Sequence, residues 1–201
     1  MPSDVSIANQ ALSFLGADPI ISLDDDSTEA KLIKANYANI RVALLEAVNW
    51  TFATKWADLI PLAEPPKNQY ENAFPLPSTL LRVIFVGIDY NHPERKWRKE
   101  GHNIVKDGDT CTIQYIDDVP DANKFSSLFV QAFAQRLAAD LSIALTNSRS
   151  LQETHFQLFE SKMTEARRID QLQGKSRRIR SRWIENGRYN YGRGGVAGPT
   201  V

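Results

Sequence analysis

The chain has 201 residues, 42% of them hydrophobic, and its 24 basic and 24 acidic side chains cancel. That length suits one domain of about 170 residues plus a tail, and no apolar run approaches the roughly 18–20 residues of a membrane helix, so no span is expected. A single cysteine, Cys111, excludes an internal disulfide and gives no thiolate zinc cluster.

Met1-Pro2-Ser3-Asp4 has neither the basic start nor the apolar core of a secretory signal, so cytosolic synthesis is expected. The first helix spans Asp4–Leu15, with Ser3 as N-cap, Gly16 just beyond its end, and Val5, Ala8, Leu12 and Leu15 on one face. A turn through Asp18-Pro19 and Asp24-Asp25-Asp26 leads to a second helix over about 27–49. Asp26 and Glu29 have the spacing of a capping box there. Ala30, Ile33, Tyr37, Ile40, Leu44 and Val48 form its stripe.

The period then changes. Thr51–Leu62 reads as extended, Pro65-Pro66 breaks it, and Phe74-Pro75-Leu76-Pro77 is a connector that cannot join a central strand. Leu80–Tyr90 is β-branched and aromatic, and Lys96–Glu100, Asn103–Val105 and Thr110–Ile116 read as shorter strands. Asp107-Gly108, between Val105 and Cys111, is the sharpest hairpin signal. These segments predict a small antiparallel sheet over about 51–117, with Cys111 as a half-buried strand residue.

Pro120 suits a first helical turn, and Phe125, Leu128, Phe129, Ala132, Phe133, Leu137 and Leu141 mark a third helix over about 121–145. After a tight turn at Asn147-Ser148, Ser150 and Glu153 cap a fourth helix over about 150–173. Its predicted buried face is Phe156, Phe159, Met163, Ala166 and Ile169. The expected fold is therefore mainly α (α+β). It is an antiparallel four-helix bundle with a small β insertion between helices 2 and 3, in a domain of residues 1–174.

The last 27 residues, Lys175–Val201, hold seven basic side chains against the single acid Glu185, a net of +6. The other 174 residues hold 17 basic and 23 acidic side chains, a net of −6. Such a tail, rich in Arg, Tyr and Gly, cannot bury enough apolar surface to order itself and is expected to be ordered by a partner.

Catalytic signals are missing. His92, His102 and His155 lie apart in sequence and read as solvated or capping groups. No glycine-rich phosphate loop and no nucleophile elbow occurs. Asp24-Asp25-Asp26 lacks the spaced ligands of a calcium loop, so capping of the second helix accounts for it better. Arg95, Lys96, Trp97, Arg98 and Lys99 form a second basic patch, read as an exposed hairpin before a docking or DNA-facing surface. Arg167 and Arg168 read as a solvated face before an intersubunit contact.

The phrase Ile7-Ala8-Asn9-Gln10-Ala11-Leu12-Ser13-Phe14-Leu15-Gly16 is followed by an acidic turn and a helix ending in Leu44-Leu45-Glu46-Ala47-Val48-Asn49-Trp50-Thr51-Phe52-Ala53. This opening resembles that of bacteriophage head-to-tail adaptors, the tail tubular protein A of short-tailed phages. Phe74-Pro75-Leu76-Pro77-Ser78-Thr79-Leu80-Leu81-Arg82 resembles that family's entry into its sheet. Gln114-Tyr115-Ile116 and the run from Phe125 to Leu141 are similar to the approach to its third helix and the helix itself. The likeness covers about residues 4–174, and the tail matches in character alone.

The resemblance implies a structural, non-catalytic protein of the virion, made in the host cytoplasm and needing no cofactor or metal. It implies a ring of subunits, commonly twelve, beneath the portal protein, extending the channel for double-stranded DNA and carrying the tail nozzle. The C-terminal arm would then grip the portal through Lys175, Arg177, Arg178, Arg180, Arg182, Trp183, Arg188, Tyr189, Tyr191 and Arg193. Arg95, Lys96, Trp97, Arg98, Lys99, Arg167 and Arg168 become candidates for contacts with neighbours or nozzle. Two other classes compete: a non-specific nucleic-acid binder using the basic tail, and, more weakly, a hydrolase of envelope glycans.

Overall fold

The computed structural model describes residues 2–67, 69–89, 92–94 and 96–173. Helix α1 (Asp4–Leu15) starts where Ser3 and Ser6 cap each other, each hydroxyl accepting the other's backbone N–H at 3.1 and 2.7 Å. It stops at Gly16, whose φ of 67° lets its N–H turn back onto the last carbonyls. Helix α2 (Thr28–Ala47) is capped by Ser27 rather than by Asp26. The acidic turn has another job. Asp25 accepts from the N–H groups of Ile21 and Ser22, while Asp26 and Asp24 pair with Lys31 and Lys34.

Helix α3 (Ser127–Thr146) begins later than the sequence predicted. A 3-10 turn, Ala122–Lys124, capped by Asp121, comes between Pro120 and the Ser126 cap. Helix α4 (Arg149–Leu172) is capped by Ser148, not Ser150, after Asn147 takes the left-handed conformation (φ 51°) that closes the turn. α3 lies at the centre, packed against α1, α2 and α4. An aromatic cluster surrounds it, with Phe129 within 4.8–6.0 Å of the rings of Phe125, Trp50, Phe52 and Phe133. By length and composition α3 could cross a membrane, contrary to the sequence reading, but here its apolar side is the protein core.

Among the described residues every strand pairing is antiparallel. β1 (Thr54–Leu59), β7 (Cys111–Asp117) and β3 (Leu80–Asp89) form one sheet in the order β1-β7-β3, and the two-residue β4 (His92–Pro93) adds to β3. β2 (Asn72–Pro75), β6 (Asn103–Lys106) and β5 (Trp97–Glu100) form a second sheet in the order β2-β6-β5. β2 includes Pro75, which an edge strand tolerates because its outer side needs no N–H.

The expected four-helix bundle with one small β insertion is thus wrong. The described residues form an α+β fold of four helices and two sheets. The reason lies in β7, which is buried on both faces and so needs a cover on each. Ile116 joins the helical core, whereas Cys111, Ile113 and Tyr115 join a second core with Phe74 and Ile104. Asp107-Gly108 does not close a hairpin either: it carries the chain from β6 in one sheet to β7 in the other. A hairpin does form from β5 and β6, turning through Gly101 (φ 57°) and His102.

Polar bonds fasten helices to sheet. The Arg41 guanidinium on α2 lies 3.1–3.2 Å from both Asp118 oxygens, just after β7. Arg82 on β3 donates to the Glu46 carbonyl and to Asn49 at the end of α2.

Candidate interaction surface

The candidate contact residues fall into separate places. Lys96 precedes β5, and Trp97, Arg98 and Lys99 lie within it. Every residue of that edge strand is exposed, so its basic side chains and indole face solvent on both sides of the sheet. Its inner neighbour β6 is buried, and pairing places Trp97 opposite Lys106 and Lys99 opposite Ile104. A cleft of about 450 Å³ lies beside it, lined by Gln69, Tyr70, Lys96, Trp97 and Asp107. Arg167 and Arg168 stand on α4, exposed on either side of the α4 stripe. Arg95 and all the tail candidates, Lys175, Arg177, Arg178, Arg180, Arg182, Trp183, Arg188, Tyr189, Tyr191 and Arg193, lie outside the described residues.

A second surface, not foreseen from sequence, is the far end of the first sheet. The ends of β1 and β3 and the start of β7 frame an open groove of about 470 Å³ with Leu59, Ile60, Pro61 and Ile88 on its walls. Ile60 is 81% and Ile88 76% exposed. Asp58 and Asp109 add carboxylates to the same groove. The mixture of projecting isoleucines and acids suits a partner that brings both apolar and cationic groups.

The fourth helix is turned relative to its predicted face. His155, Ala166 and Asp170 are buried, Phe159 and Met163 are partly buried, and Phe156 and Ile169 stand out at 40% and 36% exposed. Phe156 and Phe159 instead receive the Arg136 guanidinium 5.3 and 5.6 Å from their ring centres. His155, expected to be a solvated or capping group, is buried: it stacks on Phe14 at 5.9 Å and donates from Nδ1 to Gln135 Oε1 at 2.9 Å. Its spacing with Phe159, Met163, Ala166 and Asp170 matches one helical face, and that spacing is the signal that could have revealed it.

Asp170 carries the most consequential contact. Its carboxylate accepts from the Thr51 N–H at 2.9 Å and the Thr51 hydroxyl at 2.8 Å. Thr51 opens the 3-10 turn Thr51–Ala53, whose N-cap residue Trp50 supplies no side-chain acceptor. A residue 119 positions later therefore caps the turn leading into β1. This bond holds the end of α4, and so the root of the tail, at the helix–sheet junction.

Ionisable groups of the sheets and of α2 have structural roles. Lys106 is nearly covered, bonded to Glu94 at 2.9 Å and the Thr110 carbonyl at 2.7 Å, above the Phe74 ring. Lys55 is held charged to higher pH by its 2.6 Å bond to Asp117. Burial pushes the Cys111 thiol up to about 11, as an inert core residue requires. Tyr37 is held protonated well above its ordinary range by burial first, then by Asp4, to which its hydroxyl donates at 2.9 Å. Among the described residues no three His, Cys, Asp or Glu side chains gather as a metal site would require. Compared with known proteins, the chain matches no protein-family model, and no curated protein matches it in sequence.

Proposed function

We propose that this protein is a structural head-to-tail adaptor of a bacteriophage virion, one subunit of a ring beneath the portal that extends the DNA channel and joins the tail nozzle. The observation that carries the reading is the order of its adaptor-like phrases. They fall in turn on α1 with its glycine cap, on the end of α2 with the 3-10 turn, on the passage from β2 into β3, within β7, and on α3. These are the parts that build the helical core and its junction with the sheets. The acidic groove and the basic β5 edge give each subunit surfaces of opposite charge, which favours head-to-tail contact between copies around a ring. The arm, Lys175–Val201, with six net positive charges, is the portal-docking element; Arg and Tyr suit such an interface.

The test is assembly on purified portal rings, imaged by electron microscopy. Subunits ringing the portal with the arm against it are expected, and a chain ending at Gln173 should stay folded and lose binding. Intact complexes from that shortened chain would refute the arm's role. A second reading, non-specific nucleic-acid binding, is favoured by the open β5 strand with Lys96, Trp97, Arg98 and Lys99. It predicts DNA affinity that falls steeply with salt in the isolated protein.

A further inference from the structure

We propose that Ile21, held out on the acidic turn of one subunit, docks on the outer face of the C-terminal end of α4 in a second copy. There it meets Ile169 and Leu172, with Arg167 and Arg168 at the rim. This deepens the ring reading, on which the choice of a second copy rests, and adds a contact between the helical layers of neighbours.

The turn is built to hold that side chain out. Ile21 is 91% exposed, the most exposed large apolar side chain among the described residues. Its neighbour Ile20 is buried, and the Asn9 side chain fixes it, accepting from its N–H and donating to its carbonyl, both at 2.8 Å. Asp25 accepts from the N–H groups of Ile21 and Ser22, and Ser22 Oγ accepts the Asp24 N–H at 3.2 Å. The pairs Asp24–Lys34 and Asp26–Lys31 tie the turn along the first two turns of α2. A backbone so ordered has little entropy left to lose on binding, which suits an anchor.

The complement is on α4. Ile169 and Leu172 stand three residues apart on one side of that helix, Leu172 being 72% exposed, and the exposed Arg168 lies one turn before Leu172. Charge matches as well as shape: residues 18–34 carry five carboxylates against two lysines, opposite in sign to Arg167 and Arg168.

The two surfaces cannot meet within one molecule. The acidic turn docks at the start of α2, whereas the end of α4 is bonded through Asp170 to Thr51, just past the end of α2. The 20 residues of α2 rise about 30 Å between them. Complementary surfaces at opposite ends of one layer give a head-to-tail contact, the kind that closes rings. Other exposed groups fit Ile21 worse. Ile60 and Ile88 share their groove with Asp58 and Asp109, which repel the acidic turn, and β5 offers positive charge but one apolar side chain, Trp97.

The test uses the full chain with p-benzoylphenylalanine in place of Ile21, mixed at high concentration with an isotope-labelled chain that keeps Ile21, and no portal. Photolysis should join position 21 to residues 165–172 of the labelled copy. Leu172→Asp in the labelled chain should lower the yield about ten-fold or more. Arg167→Glu with Arg168→Glu should lower it too, and both changes should leave melting unchanged because these side chains are exposed. No cross-link between copies, cross-links to β5 or to the sheet groove, or a yield unmoved by these substitutions would overturn the proposal. Purified portals separate the two readings. A wild-type chain that forms no ring on them while the cross-link persists sinks the adaptor reading alone. Rings on the portal in which position 21 joins elsewhere sink this contact alone.

Discussion

Replacing Asp170 by alanine isolates the contact that ties the tail's root to the sheet. The carboxylate is buried at 4% exposure and accepts two hydrogen bonds from Thr51, at 2.9 and 2.8 Å. Hydrogen bonds to a charged acceptor contribute about 1.5–3 kcal/mol, and a buried N–H left without an acceptor costs about 1–3 kcal/mol. The two bonds share one carboxylate, and water can reach part of the vacated space, so a loss of about 2–4 kcal/mol is expected. For a domain of this size that corresponds to a fall in melting temperature of roughly 4–16 °C. Calorimetry of Asp170→Ala, Thr51→Ala and the double variant measures it. The double variant should lose less than the two single losses combined, because the hydroxyl bond is counted in both. A change under about 0.5 kcal/mol for Asp170→Ala, the size of an ordinary surface substitution, would refute the capping role. Strict additivity would refute the coupling.

Phe129→Ala, at the centre of the aromatic cluster and fully buried, should cost about 3–5 kcal/mol in denaturant unfolding, lost burial and the cavity left behind adding together. Lys106→Ala removes a buried cation from Glu94, the Thr110 carbonyl and the Phe74 ring. It should cost about 2–4 kcal/mol and more than Glu94→Gln, whose side chain is 41% exposed. Cys111 should resist alkylation at pH 8, where roughly one thiol in a thousand is ionised at a pKa of about 11; rapid labelling of native protein would contradict its burial. Its pKa is raised in the fold from 9.0, so ionisation favours the unfolded chain. Its contribution to stability is complete below about pH 9 and is lost as the pH climbs towards 11, which alkaline unfolding curves of wild type and Cys111→Ser should separate.

Local signals were readable where the backbone states its own boundary. Ser3 and Gly16 delimit α1 as their chemistry requires, and Asn147-Ser148 turns the chain between α3 and α4. Where two acceptors lay close together, the chain used the neighbour: Ser27 in place of Asp26, Ser148 in place of Ser150. Long-range pairing was not readable. Asp107-Gly108 has hairpin chemistry, but which strands flank it in space depends on β1 reaching β7 across some fifty residues. Nor does composition distinguish an exposed strand from one covered twice, which is why the second sheet went unseen. His155 and Asp170 were overlooked because polar residues on a helix default to solvent. Their partners, Gln135 and Thr51, lie 20 and 119 positions away.

The pairing of β1 with β7 has one more implication. The chain departs from the helical layer at Thr54 and comes back at Ile116, and those two residues face each other across the ladder. Apart from the start of β3, where Leu81, Ile84 and Arg82 touch the helical layer again, the segment between them is an excursion whose exit and return share one doorway. Changes of length or sequence near the tip, around residues 60–70 or 107–110, are absorbed before they reach the helices. A lineage of such chains can therefore refit its outer end to new neighbours while the aromatic interior around α3 stays as it is.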